Sequence, residues 1–367
     1  MGGVMHNRYA AMLVGFVVLG GCTSETPSAD PSVPPTDGAT SEVQAPTTDS
    51  TRTTAPTESA ETLPPLLAEP VFDEWPVPAG SRPHDAAPAS AGDGRGWYAA
   101  QGSGQAGLLD PATGEVEVID LGSGSSPHGV IVGDDGTAWF TDGGQNAIVA
   151  VDPDTFEVTT YPLPTSDYAN LNTAAFDGDG ILWFTGQSGI YGRLDPATDD
   201  MEVFDAPRGR GPYGIAATPD GDVWFSSLAG SYIAKITDVD GTLEVVDTPT
   251  RGGGARRVWS DSRGRLWVTE WNAGNLAMYD PDATTWNTWP LPGSNPQPYA
   301  VFVDDADFVW VTDFGGDALV RFDPTAEEFT VFPWPTPGAQ VRQLLGRPGE
   351  VWGTGSAIDT VIILRTR

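Results

Sequence analysis

Residues 127–164 read PHGVIVGDDGTAWFTDGGQNAIVAVDPDTFEVTTYPLP. An apolar run, PHGVIVG, leads into Asp135-Gly136, a pair that favours a tight turn because Gly accepts positive φ. TAWFTD and AIVAVD follow, rich in the β-branched and aromatic residues that suit a pleated, half-buried surface. Asp152-Pro153-Asp154-Thr155 supplies the next turn. EVTTYPL is a fourth extended segment, stopped at Pro164. The stretch predicts four antiparallel strands, designated a to d in chain order.

The unit recurs. Tryptophans stand at Trp97, Trp139, Trp183, Trp224, Trp267, Trp310 and Trp352, at intervals of 42, 44, 41, 43, 43 and 42 residues. The turn before strand d recurs at Asp110-Pro111, Asp195-Pro196, Asp280-Pro281 and Asp323-Pro324. Four strands at this period describe a propeller blade. The chain is therefore expected to be all-β, a seven-bladed β-propeller over residues 71–367. The seventh repeat ends after its strand c, Val361-Ile362-Ile363-Leu364. A lone strand d, VFDEWPVP (71–78), precedes the first repeat. It is expected to complete the last blade and close the ring, which removes the open edges of the sheets. An open solenoid is the competing architecture, and this orphan strand argues against it.

Composition narrows the function. The 367 residues include one Cys and carry a formal net charge of −32. A single Cys excludes a disulfide scaffold or a structural zinc site. The negative charge argues against nucleic acid, whose phosphates require a basic surface. Residues 1–22, MGGVMHNRYAAMLVGFVVLGGC, place Arg8 before a short apolar run ending at Cys22. The run is too short to span a bilayer comfortably and reads as a signal peptide, residues 1–21. Its end, Leu19-Gly20-Gly21-Cys22, resembles a bacterial lipobox, which makes Cys22 the lipidation site. Residues 22–70 are Ser, Thr, Pro, Ala and acid, too poor in apolar surface to fold, and read as a disordered tether. The expected protein is an exported lipoprotein, monomeric, facing outside the cytoplasm and held to the membrane only by its lipid.

Topology then places the site. In a propeller, strand a lines the central channel, and its start lies beside the end of strand b. Counting eleven residues back from each Trp gives His128, Asn172, Tyr213, Arg256, Tyr299 and Val341; Pro83-His84 takes the slot in the first blade. Three residues after the Trp stand Asp142, Glu270 and Asp313. A polar, varied and convergent ring of this kind suits a small-molecule ligand. Arg256 with Glu270 and Tyr299 with Asp313 read equally well as local pairs or as ligand contacts. His84 and His128, the two His outside the leader, both follow Pro on adjacent blades and point to function. The blade tryptophans read as packing between sheets. Arg256-Arg257 at the mouth would orient an anionic or carbonyl-bearing ligand.

The unit P-H-G-V-x4-D-G-x2-W-F-T-D-x3-N-x-I, with its Y-P-L-P end, resembles the streptogramin B lyase (virginiamycin B lyase) family across all seven repeats. The resemblance implies a lyase that opens a cyclic depsipeptide ester by elimination, with Mg²⁺ as cofactor. It implies a catalytic role for His84 and His128 and a metal-holding role for Asp142; Asn172, Tyr213, Arg256 and Tyr299, read from the channel ring, are the expected substrate contacts. The chain departs from the family pattern at Ser126, where a Glu precedes the second Pro-His, and at Asp142, where the acid is Glu. Glu270 and Asp313 offer an alternative metal position. Two other readings stand beside this one. One is a non-catalytic propeller binding a ligand or protein. The other is a lactonase-like hydrolase using Glu270 and Asp313.

Overall fold

The computed structural model describes residues 65–67, 69–89 and 92–367. The leader, Cys22 and the tether up to residue 64 lie outside the described residues. Seven four-stranded antiparallel sheets succeed one another along the chain. In the second, strand a is Pro127–Val132, b is Ala138–Asp142, c is Ala147–Val151 and d is Val158–Pro162. Strands b and c are buried throughout, whereas d mixes half-buried and exposed residues. That gradient follows from position: inner strands are covered by neighbouring sheets and the outer strand faces water.

The last sheet contains both ends of the domain. Val71–Pro76 pairs antiparallel with Thr360–Arg365, in a register running from Val71 opposite Arg365 to Pro76 opposite Thr360. The orphan strand therefore completes blade seven, and the ring is closed.

The repeating tryptophans fill the spaces between sheets; Trp97, Trp267, Trp310 and Trp352 are fully buried. Several indoles are also anchored. Trp183, Trp267 and Trp310 donate from Nε1 to Asp177, Asp261 and Asp304, at 2.8, 3.0 and 2.8 Å. Each Asp opens the turn before its Trp, so one carboxylate holds both the turn and the ring, and no indole N–H is buried without a partner there.

A second repeated device surrounds the channel. Two residues after most of the tryptophans stands a hydroxyl that donates to a strand a carbonyl of the next blade. Thr141 reaches the Asn172 carbonyl at 2.5 Å, Ser226 that of Arg256 at 2.9 Å and Thr269 that of Tyr299 at 2.9 Å. Thr354 reaches the carbonyl of His84 at 2.7 Å, linking blade seven to blade one. These bonds satisfy buried carbonyls that no sheet partner reaches, and they fix the spacing of adjacent inner strands.

Candidate active site at the channel mouth

Each of the first six a strands carries a β-bulge where it meets the mouth. In blade two, Pro127 pairs with Asp142 and Gly129 with Thr141, leaving His128 extra. The register breaks likewise between Pro83 and Ala86, Leu171 and Ala174, Pro212 and Ile215, Ala255 and Val258, and Pro298 and Val301. A bulge re-aims the side chains it contains. Here it turns His84, His128, Asn172, Tyr213, Arg256 and Tyr299 away from sheet pairing. Gly129 allows the neighbouring strand to approach: a Cβ there would lie 2.7 Å from the Asn172 carbonyl oxygen.

The two imidazoles meet face to face, with centroids 3.6 Å apart and planes tilted by 36°. His128 Nδ1 lies 3.0 Å from the Asn172 carbonyl oxygen. A carbonyl only accepts, so Nδ1 carries the proton and Nε2 keeps its lone pair; Asn172 Nδ2 stands 3.4 Å from that atom. His84 Nδ1 lies 2.7 Å from Asp85 Oδ1, which orients the ring and assigns the lone pair to its Nε2 when the carboxylate is ionised. Burial is the main cause holding both histidines well below their ordinary pKa; repulsion from His84 adds at His128, and repulsion from Arg257 adds at both. Burial also pushes the Asp85 carboxyl up, opposed by Arg257. The pair is thus neutral near pH 7.

Arg257 underlies this layer, 1% exposed. Its Nη1 donates to Asn172 Oδ1 at 3.0 Å and Thr173 Oγ1 at 3.1 Å, and its Nη2 lies 3.9 Å from Asp85 Oδ1. Across the mouth, Arg256 Nη2 donates to Tyr213 Oη at 2.8 Å, and the Tyr213 and Tyr299 hydroxyls are 2.6 Å apart. The Arg256 guanidinium sits 3.5 Å from the Tyr299 ring centroid and 4.4 Å from that of Trp271, a stacked arrangement suited to a cation. The Tyr299 hydroxyl is held below its ordinary pKa by Arg256 and Arg257, against the opposing effect of burial, while burial raises Tyr213.

The acids at the ends of the b strands are placed differently from the channel ring. Asp142 Oδ1 accepts from the backbone N–H groups of Ser126, Gly144 and Gln145, and its Oδ2 from Ser125 Oγ. Glu270 accepts from Thr250 and Asn275. Asp313 accepts from the N–H groups of Gln297 and Gly315. Each carboxylate fixes the loop entering its blade. Among the described residues, the group whose ligand atoms could together hold a metal ion is His84, Asp85 and His128, all within 4.8 Å of one another.

Sequence reasoning did not single out Asp85 or Arg342. Asp85 had a signal, an acid inside the small apolar strand Pro83–Pro88. Arg342 had none, because residues 337–344 of blade seven leave the strand grammar. Arg342 joins Arg82, Arg256, His84 and His128 around a cavity of ≈ 420 Å³ at the mouth. The slot position in this blade, Val341, is buried in the core instead.

The structure is that of a closed seven-bladed propeller with a histidine pair and arginines at one end of its channel. Its family can also be stated. The virginiamycin B lyase family model matches residues 121–365, and the chain belongs to that family. A virginiamycin B lyase of Nocardia farcinica is 30% identical over 207 residues, covering 56% of this chain and 70% of that protein. A streptogramin B lyase structure superimposes with a TM-score of 0.73 at 22% identity, over 81% of this chain and 98% of that one. A catalytically inactive His-to-Ala variant of the Staphylococcus aureus virginiamycin B lyase, solved with quinupristin, superimposes with a TM-score of 0.73 at 17% identity, over 81% and 99%. At those identities the two structures speak for the fold.

Proposed function

We propose that this propeller is a carbon–oxygen lyase that opens an ester of a small molecule or cyclic depsipeptide by elimination at the channel mouth. The observation that carries the reading is the pair of closely packed, neutral imidazoles, each with Nδ1 engaged, with His128 Nε2 facing the Asn172 amide at 3.4 Å. Elimination requires a base for the proton next to a carbonyl and stabilisation of the charge that develops on the carbonyl oxygen. His128, or His84 beside it, accepts the proton at Nε2. Asp85 and the Asn172 carbonyl hold the two rings in the receptive tautomer. Arg256, with the hydroxyls of Tyr213 and Tyr299, supplies positive charge and hydrogen bonds for the oxygen.

His84, Asp85 and His128 could instead hold a metal as a Lewis acid, in which case the lone pairs they give it would no longer be available as the base. Two imidazoles and one carboxylate suit a transition metal. Magnesium prefers oxygen ligands. The cluster offers it one carboxylate, already bonded to His84 and facing Arg257, so magnesium does not fit and no step is assigned to it. Export and lipidation at Cys22 complete the proposal as a monomeric protein acting outside the cytoplasm. No helix among the described residues is long and apolar enough to cross a membrane.

The test is mass analysis of a streptogramin B incubated with the protein. Elimination opens the ring without changing mass, and His128→Ala abolishes the reaction. A product that has gained water, or full activity in His128→Ala, sinks the reading. A non-catalytic binding propeller is the second reading, favoured by the commitment of Asp142, Glu270 and Asp313 to loop backbone; binding without turnover would support it.

A further inference from the structure

We infer that the channel mouth is a receptor for an organic carboxylate, and that the substrate is a carboxylate bearing an oxygen leaving group on its β-carbon. The inference rests on the elimination reading for the chemistry but on separate observations for the charge.

The chain carries −32 overall, yet no Asp or Glu lines the mouth cavity. Three arginines do: Arg82, Arg256 and Arg342. Among the described residues none of the three is paired with a carboxylate. Arg256 is held by Tyr213 and by aromatic rings, and its Nε is buried without a hydrogen-bond partner. Arg342 has the neutral Gln340 side chain, 3.0 Å from its Nη2. Acidic residues are abundant elsewhere on this surface, so three guanidinium groups without a carboxylate partner around one cavity suit an anion. A planar carboxylate matches the guanidinium fork.

Backbone conformation makes the same point independently. Arg82, Asn170 and Gln340 lie in the left-handed region, at φ of 41°, 53° and 55°. Each stands at the loop position two residues before a channel residue, and all three line the cavity. The corresponding positions in blades four and five are glycines, Gly211 and Gly254, also at positive φ. Glycine takes this conformation freely, and larger residues are strained there. At three of these positions long polar side chains stand in that conformation and reach the cavity.

The chemistry connects the two sides of the mouth. A proton next to a carboxylate is hard to remove because a second negative charge develops on the group. Arginines on the carboxylate offset that charge. An imidazole Nε2 takes the α-proton, the C–H electron pair becomes the Cα=Cβ double bond, and the Cβ–O bond breaks. The leaving oxygen departs with its electron pair, and the base later returns its proton to solvent. No water, oxidant or other reactant is consumed.

A matched pair of probes tests this on the full-length protein: 3-acetoxybutanoate and its neutral methyl ester, titrated calorimetrically at low salt. The carboxylate is expected to bind at least about tenfold more tightly than the ester, as charge-assisted hydrogen bonds to arginine would require. Arg342→Gln is expected to remove most of that preference and to be partly rescued by Arg342→Lys. Arg256→Gln should act in the same direction, but Arg256 is packed among rings, so Arg342 is the deciding position. Equal binding of the two probes overturns the proposal. So does no detectable carboxylate binding, or unchanged carboxylate affinity in a folded Arg342→Gln. Conversion to crotonate and acetate is followed in parallel. Binding without conversion keeps the carboxylate site and removes the elimination reading. Equal conversion of acid and ester keeps elimination and removes the carboxylate site.

Discussion

His84 and His128 come from adjacent blades, yet their rings stack at a centroid distance of 3.6 Å. Two imidazolium ions cannot share that space in a buried layer that already contains Arg257. The pair can therefore hold at most one added proton.

This sets a pH dependence of stability. Both histidines have folded-state pKa values below the unfolded 6.5, so the unfolded chain binds more protons between those values. Stability should be full above about pH 6.5 and fall as pH drops below it. Asp85, whose pKa is raised, works in the opposite sense in a lower window, starting from the ordinary carboxylate range. Thermal melts across pH 4–8 check this. A His84→Gln, His128→Gln double variant that keeps the full acid-side loss would contradict it.

Arg257 is the counter-charge for Asp85. Arg257→Met should destabilise the fold by about 3 kcal/mol, because it leaves a buried carboxylate without compensation. Adding Asp85→Asn should recover part of the loss. Denaturant unfolding of the two variants measures the coupling; purely additive effects would show that the two residues do not interact.

Asp142 is expected to behave as a loop anchor. Asp142→Asn retains the shape but turns one acceptor into a donor facing N–H and hydroxyl donors, and should cost about 1–3 kcal/mol of stability. Metal affinity, measured by calorimetry with zinc or manganese, should be unchanged. A selective loss of metal binding with stability intact would instead place this carboxylate at a metal.

The hydroxyl ladder predicts the effect of a near-isosteric change. Thr141→Val removes the donor to the Asn172 carbonyl and the acceptor for the Gly129 N–H. Leaving that buried N–H unpaired should cost about 1–3 kcal/mol. The Asn172 carbonyl also receives His128 Nδ1, so catalytic rate should fall as well. Unfolding curves and turnover numbers measured on the same preparation separate the two effects.

The repeat was legible because one Trp per blade marks strand b, and the spacing of 41 to 44 residues admits few architectures. The channel ring was legible for the same reason: His128, Asn172, Tyr213, Arg256 and Tyr299 all occupy the counted slot, and His84 stands two residues earlier in its repeat. Alternating-strand reasoning allots one channel residue per strand, whereas the bulge frees two in succession in most blades. That hid the second layer, where Asp85 and Arg257 sit. The acids of the b strands were visible in the sequence, but their partners were not, because the N–H groups that hold Asp142 and Asp313 belong to loops whose conformation no residue spacing specifies. Arg342 lay in a stretch where blade seven abandons the repeat.

Pairing between Val71–Pro76 and Thr360–Arg365 joins the first strand of the domain to the last. A ribosome makes the first of these nearly three hundred residues before its partner. Until then neither blade seven nor the circle exists, and the Thr354 bond to blade one cannot form. Prematurely ended chains lack the clasp and are left with unsatisfied edges that proteases and chaperones can recognise. The same arrangement makes completion of translation a condition for assembling the mouth, since Arg342 arrives from the end of the chain and His84 from its beginning.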